Sequence, residues 1–246
     1  MTVQHRIAMW SGPRNISTAL MRAWENRPDT HVHDEPFYAH YLHQTGIDHP
    51  GAAEIIAAYE CDWRTIAAQL TGPIPQGKAI YYQKHMTHHM LDNMERDWML
   101  KLTNCFLIRE PAQVVVSLAK VLPHPTLEQT GFVMQAELFE YVRQHTGQIP
   151  PVIDSSDVLR NPRRVLSQLC AVLDIPFTEA MLHWPAGKRA TDGIWAPYWY
   201  ASVERSTGFM PYTPPDPIPA HLQALVTACE PYYQQLAQYR IASEEG

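Results

Sequence analysis

Short apolar runs bounded by turn-forming residues alternate along this chain with longer stretches whose apolar positions recur every three or four residues. The first run, Arg6 to Trp10, reads as a buried strand, and a polar turn follows it, Ser11-Gly12-Pro13-Arg14-Asn15. Ile16, Leu20, Ala23 and Trp24 then fall on one helical face until Pro28, which cannot continue a helix. Thr30 to His33 is a second strand. Residues Ala52 to Leu70 carry a helical stripe of Ile55, Ile56, Tyr59, Ile66 and Leu70, stopped by Gly72-Pro73. Lys78 to Gln83 and Asn104 to Ile108 are the third and fourth strands. Pro111 suits the first turn of a helix that Val114, Val115, Leu118 and Val121 continue. Val121 to Glu128, with two prolines, reads as a loop, and Gln129 to Thr146 as a helix. Pro151 to Asp154 is the fifth strand, and Asn161-Pro162 opens a helix carrying Val165, Leu166, Leu169, Cys170 and Leu173.

Five strand–helix alternations predict an α/β fold, a three-layer sandwich around a central parallel sheet of about five strands. The last quarter changes character. It holds a glycine-flanked basic segment from Gly187 to Trp195, five prolines between Pro211 and Pro219, and a terminal helix from Ala220 to Tyr239. Too little apolar periodicity remains there for a separate core. The expectation is one domain over 1–246, with its core at about 5–175 and a proline-rich wrap plus terminal helix at about 176–246.

Composition narrows the function. Hydrophobic residues make up 46% of the chain and charged ones only 18%, which indicates a packed globule rather than a disordered chain. A net charge of −6 argues against a nucleic-acid or membrane-surface partner. No apolar run approaches a membrane span, and no signal peptide precedes the first strand. Cys61, Cys105, Cys170 and Cys229 are widely separated, as in a reduced, cytoplasmic protein.

Candidate chemistry sits at the strand exits. The free amides at a helix N-terminus after a strand favour an anion, most often phosphate. Arg14 and Asn15 in the first turn, with Ser17 and Thr18 opening the helix, add a cation and further donors. The turn is P-loop-like but lacks the second glycine and the lysine of G-x-x-x-x-G-K-[ST], which speaks against magnesium-ATP hydrolysis. Glu35 ends the second strand and reads as a general base, a substrate contact or a helix-capping carboxylate. His31 and His33 share a strand face without a third metal ligand nearby, so they read as ordinary strand residues. Lys84 and His85, with His88 and His89, leave the third strand. One histidine in the site with the others solvated is the expectation. Arg109 ends the fourth strand, and Ser117 stands two turns along the next helix. Phe37, Tyr38, Tyr41, Trp199 and Tyr200 either line a pocket or pack.

Four segments together resemble the sulfotransferases that use 3′-phosphoadenosine 5′-phosphosulfate. Pro13-Arg14-Asn15-Ile16-Ser17-Thr18 is similar to their 5′-phosphosulfate loop, with Asn-Ile in place of the usual Ser-Gly. Phe106 to Pro111 with Ser117 resembles their 3′-phosphate motif. Val152-Ile153-Asp154, Leu159 to Pro162 and Leu169 to Leu173 resemble a structural run, and Gly187 to Trp195 a variant of the loop closing over the 3′-phosphate.

The resemblance implies sulfuryl transfer from 3′-phosphoadenosine 5′-phosphosulfate, releasing adenosine 3′,5′-bisphosphate, to a hydroxyl or amine of a small molecule or carbohydrate, without a metal. It implies cofactor contacts from Arg14, Asn15, Ser17, Thr18, Arg109, Ser117, Lys188 and Arg189. Lys84 would balance charge, and Glu35 or a histidine of the 85–89 cluster, His85 foremost, would take the acceptor's proton. Glu35-Pro36 resembles the carbohydrate-type enzymes and Lys84-His85 the cytosolic type, so both bases stay open. A P-loop kinase-like phosphotransferase and a catalytically silent nucleotide-binding protein are the alternatives.

Overall fold

The computed structural model describes residues 3–241. Its strands are β1 (His5–Ser11), β2 (Thr30–Asp34), β3 (Ile80–Met86), β4 (Thr103–Ile108) and β5 (Val152–Asp154). They form one sheet in the order β2-β3-β1-β4-β5, every neighbouring pair parallel. The expected α/β architecture and strand count are what form. Each strand begins or ends within about two residues of its sequence-based limits, because a buried strand is written as a compact apolar run.

Alternation along β1 splits the core into two layers. Ile7 and Met9 face α1 (Ser17–Glu25), through Leu20, Met21, Ala23 and Trp24. Ala8 and Trp10 face the opposite layer. That second layer holds four helices not contiguous in sequence. The Ala52–Leu70 stretch divides into α3 (Ala52–Ala58) and α4 (Trp63–Thr71), because Tyr59 is extended and Asp62 starts a new helix by capping Arg64 and Thr65. Only α4, with Trp63, Ile66 and Leu70, joins the layer. An intervening helix unforeseen in the sequence, α2 (Tyr38–Thr45), precedes them; its sequence, YAHYLHQT, has no aliphatic stripe.

After β4 come α5 (Pro111–Ala119), α6 (Leu127–Thr130) and α7 (Phe132–Thr146). The expected helix over 129–146 is broken at Gly131, which adopts φ 76° and lies against Gly12; a Cβ there would come 3.2 Å from the Gly12 Cα. A Cβ on Gly12 would meet the Thr130 carbonyl oxygen at 2.7 Å, so this backbone approach needs glycine on both sides. Thr87 Oγ1 donates to the Gly131 carbonyl at 3.0 Å and ties the exit of β3 to the same junction.

Following β5, α8 (Ser155–Arg160) and α9 (Pro162–Val172) return to the α1 layer, the latter through Val165, Leu166, Leu169 and Cys170. Asp154 and Asn161 cap these two helices. Two short helices, α10 (Ala196–Trp199) and α11 (Ala201–Glu204), sit over the carboxyl ends of the strands with α2 and α3. The terminal helix α12 (Gln223–Ala237) does more than wrap: Val226, Cys229, Tyr233 and Leu236 are buried in the α5–α7 layer. Because α1 and α5 leave the adjacent strands β1 and β4 toward opposite faces, a crevice opens between those strands at their carboxyl ends. That is where open α/β sheets bind ligands.

Candidate active site

A cavity of about 650 Å³ occupies this crevice. One part of its wall comes from the β1–α1 turn. Ile16 occupies the N-cap position of α1 and provides no side-chain cap, while the first intrahelical bond runs from Leu20 N–H to the Ile16 carbonyl. The amides of Ser17, Thr18 and Ala19 therefore have no acceptor within the helix. Arg14 holds φ 59° in the turn, a left-handed conformation that costs a non-glycine residue about 1 kcal/mol or more. The turn sends its guanidinium across the crevice, where Nε donates to Ser117 Oγ at 3.0 Å. Arg109 comes to the same place from the end of β4, donating from Nη1 to the Arg14 carbonyl and from Nε to Gln113 Oε1 at 2.8 Å. Asn15 turns inward, its Nδ2 donating to the Gly12 carbonyl at 3.3 Å and its Oδ1 lying 2.8 Å from Ser155 Oγ.

No described carboxylate lies within 4.0 Å of Arg14 or Arg109. Burial holds the Arg14 guanidinium below its ordinary pKa. Burial lowers Arg109 as well, and the neighbouring Arg14 charge adds to it. Two crowded cations beside unpartnered helix amides favour an anion carrying more than one charge.

The rest of the wall comes from the ends of β2 and β3 and from α2, α10 and α11. Sheet register places Asp34 directly beside Lys84. Lys84 is 1% exposed, with Nζ 2.9 Å from Asp34 Oδ1, 2.5 Å from Glu35 Oε1 and 2.8 Å from Tyr200 Oη. Burial alone would depress Lys84, but the two carboxylates outweigh it and hold its pKa above the ordinary value. Glu35 shows the reverse: burial raises its pKa more than the Lys84 charge lowers it. Its backbone at φ 41° is left-handed, and its side chain lines the cavity rather than capping α2, whose N-cap is Phe37.

Around this pair stand Tyr38, Tyr41, His49, His88, His89 and Trp199. Tyr38 and His89 stack with ring centroids 4.9 Å apart, and Tyr41 packs on the same imidazole at 4.9 Å. Phe37, by contrast, belongs to the core. Burial pushes the His88 pKa down to about 3 and moves His89 well below its ordinary value. The cluster is thus packed rather than solvated, because α2 folds over it.

Of the residues singled out in the sequence, Arg14, Asn15, Ser17, Thr18, Glu35, Lys84, Arg109 and Ser117 all line this one cavity. His85 does not. It stacks on Trp10 at 4.2 Å, with Nε2 3.2 Å from Gln83 Oε1, in the layer behind the sheet. Lys188 and Arg189 also stand outside the wall; Arg189 Nη2 donates to the Pro185 carbonyl, and its Nε is 3.9 Å from Glu25. Their segment is anchored by Asp192, 2.7 Å from the buried Arg22, and by Trp195, which is 2% exposed. Asp34 was not singled out in the sequence, although its register-neighbour relation to Lys84 could have signalled it. Tyr200, read there only as an aromatic that lines a pocket or packs, lines the cavity and places its hydroxyl between Lys84 and Asp34.

A family model for the sulfotransferase domain matches residues 5–240. The chain belongs to the sulfotransferase family. Among relatives, it is 35% identical over 233 residues to branched-chain-amino-acid aminotransferase-like protein 2 of Arabidopsis thaliana, covering 94% of this chain and 41% of that protein. To the like-named protein 1 of the same plant it is 37% identical over 204 residues, covering 82% and 36%. The chain therefore spans about two-fifths of the length of the curated relatives it matches.

Among solved structures, a sulfotransferase from Alicyclobacillus acidocaldarius superposes with a TM-score of 0.55 at 13% identity, over 98% of both chains. The sulfotransferase domain of the Synechococcus olefin synthase gives 0.50 at 13% identity, over 92% and 94%. At that identity the likeness is one of fold, and it agrees with the parallel five-stranded sheet.

Proposed function

We propose that the protein transfers a sulfuryl group from 3′-phosphoadenosine 5′-phosphosulfate to a hydroxyl or amine of a small-molecule or carbohydrate acceptor. The observation that carries this reading is the meeting of two guanidiniums without an ion-paired carboxylate, Arg14 and Arg109, with the uncapped N-terminus of α1 on one cavity wall. A donor bearing phosphates at both ends of its ribose fits such a wall. When bound it would supply an activated sulfuryl group and adenosine 3′,5′-bisphosphate as the leaving group.

This chain's own part is positioning and charge. The α1 amides, Arg14, Asn15, Ser17 and Thr18 would hold the 5′ end, and Arg109 with Ser117 the 3′-phosphate. Lys84 would neutralise charge on the leaving side. Glu35 is favoured over His85 as proton acceptor, since it lines the cavity and its raised pKa suits a base. Lys188 and Arg189 would reach the 3′-phosphate only if the turn they occupy moves inward on binding.

Thermal shift tests the assignment. Adenosine 3′,5′-bisphosphate should raise the melting temperature, by mass action on the folded state. Arg109→Ala should weaken that ligand about 10- to 100-fold, the scale of a lost charged hydrogen bond, and adenosine 5′-monophosphate far less. Equal weakening of both ligands would remove the 3′-site assignment.

A further inference from the structure

Asp34 and Glu35 are adjacent in sequence and both touch Lys84, yet their surroundings differ. Asp34 is 4% exposed and accepts hydrogen bonds on both oxygens: from Lys84 Nζ at 2.9 Å, from Tyr200 Oη at 2.7–2.8 Å and from the Gly193 amide at 3.3 Å. Glu35 accepts from Lys84 on Oε1 alone, with Tyr200 Oη at a marginal 3.4 Å, and no described donor reaches its Oε2. The Tyr200 hydroxyl has one proton to give. Its oxygen takes hydrogen bonds from Lys84 and from Trp195 Nε1 at 3.2 Å, which leaves the proton for the Asp34 carboxylate.

We propose that Asp34 is the permanent counter-ion of Lys84 and that Tyr200, by clamping Asp34 in place, leaves Glu35 free to take a proton. The inference deepens the reading of Glu35 as base and rests on it. In the step concerned, the acceptor oxygen forms a bond to sulfur as the bond from sulfur to the phosphate oxygen breaks. The proton leaving the acceptor O–H ends on Glu35. The neutral acid so formed no longer balances Lys84. Without Asp34 that would strand a buried ammonium, whose desolvation costs several kcal/mol. With Asp34 held by three donors, Lys84 stays compensated before and after the transfer. Asp34 and Tyr200 are positioning residues, acting through Lys84 and Glu35.

Every group facing Glu35 bears on its titration. These are Lys84 from β3, Asp34 from β2, Tyr38 from α2, Tyr200 from the α10–α11 junction, and the uncharged His88 and His89 across the cavity. Of them, Asp34 alone adds a negative charge, so its replacement has a defined sign.

The test is carbon-13 NMR titration of glutamate carboxyls in the full chain, with Glu35→Gln identifying the Glu35 resonance. In Asp34→Asn, Glu35 becomes the sole counter-ion of Lys84, and its midpoint should fall by about one to three pH units. An unchanged midpoint overturns the proposal. Should that variant not fold, Tyr200→Phe keeps both charges and still discriminates. Acting through Asp34, the loss of the hydroxyl shifts Glu35 toward Lys84 and lowers its midpoint. A purely local role, through the 3.4 Å contact, would raise it and overturn the proposal, as would no change. The bisphosphate thermal shift in the wild-type protein reports separately on the sulfotransferase reading, because it does not involve Asp34 or Tyr200. A failed thermal shift with a lowered Glu35 midpoint would retain the charge arrangement and lose the donor assignment.

Discussion

The two sides of the cavity are built on opposite electrostatic plans. On the β1–α1 side, Arg14 and Arg109 sit together without an ion-paired carboxylate, Asp154 and Glu110 acting on Arg109 only from a distance, and Arg14 holds a left-handed backbone. On the β2–β3 side, Lys84 is wholly buried but balanced by two carboxylates and a phenol. On the proposed function the first side takes a mobile anion, while the second holds its own charges in balance, with Glu35 to take the proton and Lys84 to face the leaving group. Stability should therefore be concentrated in the second and binding affinity in the first.

Lys84→Met should have the largest effect. It leaves two adjacent buried carboxylates without their cation, and removing one partner of a buried pair costs about 3–5 kcal/mol. Urea unfolding measures it, beside Arg14→Met, which removes an unpaired charge and should stay within about 1 kcal/mol of wild type while losing bisphosphate affinity. Similar losses from both variants would break the contrast.

Acid should expose the same asymmetry. All three histidines of the cavity wall, His49, His88 and His89, lie on the Lys84 side. His88 titrates near 3 when folded and near the ordinary 6.5 when unfolded, so between those values the unfolded chain binds the extra proton. Its contribution thus falls as pH drops from about 6.5 to about 3, and His89, also lowered by burial, acts in the same direction. The denaturation midpoint should decline across this window, and His88→Asn should flatten the decline. An identical pH profile in that variant would assign the acid sensitivity elsewhere.

The smallest effect concerns the 187–192 turn. In the bisphosphate complex, protease cleavage there should slow, and Lys188→Ala with Arg189→Ala should remove the protection without lowering the melting temperature by more than a degree or two. Cleavage indifferent to ligand would leave Arg189 as a surface partner of Glu25.

The legibility of the two sides in the sequence differs for a related reason. Arg14 and Ser117 are 103 positions apart yet lie 3.0 Å from each other, and both were readable because each occupies a fixed offset from a buried strand. Backbone geometry does the positioning there, and strands and helix starts are written locally. The Lys84 side depends on side chains converging from residues 34, 84 and 200, with nothing periodic to connect them. The short, aromatic-rich helix α2 was missed on the same account, since Tyr38 and Tyr41 pack on His89, and Tyr38 on Trp195, rather than along an aliphatic stripe. His85 illustrates the converse error. Its position at a strand exit suggested the site, but alternation along β3 turns it toward Trp10 while Lys84 faces the cavity.

The dependence of Lys84 on Tyr200 also sets an order of events during synthesis. The last strand is complete at Asp154, whereas the phenol that finishes the lysine's shell lies 46 residues later (200 − 154). At about 5–20 residues per second, a nascent chain spends roughly two to ten seconds with its last strand synthesised and the shell around Lys84 unfinished. Throughout that interval the amides of the β1–α1 turn, Arg14 and Arg109 have already been synthesised. Every residue of the proposed anion-binding wall is therefore made before the phenol that completes the Lys84 shell, and α12, which buries the α5–α7 layer, is made later still.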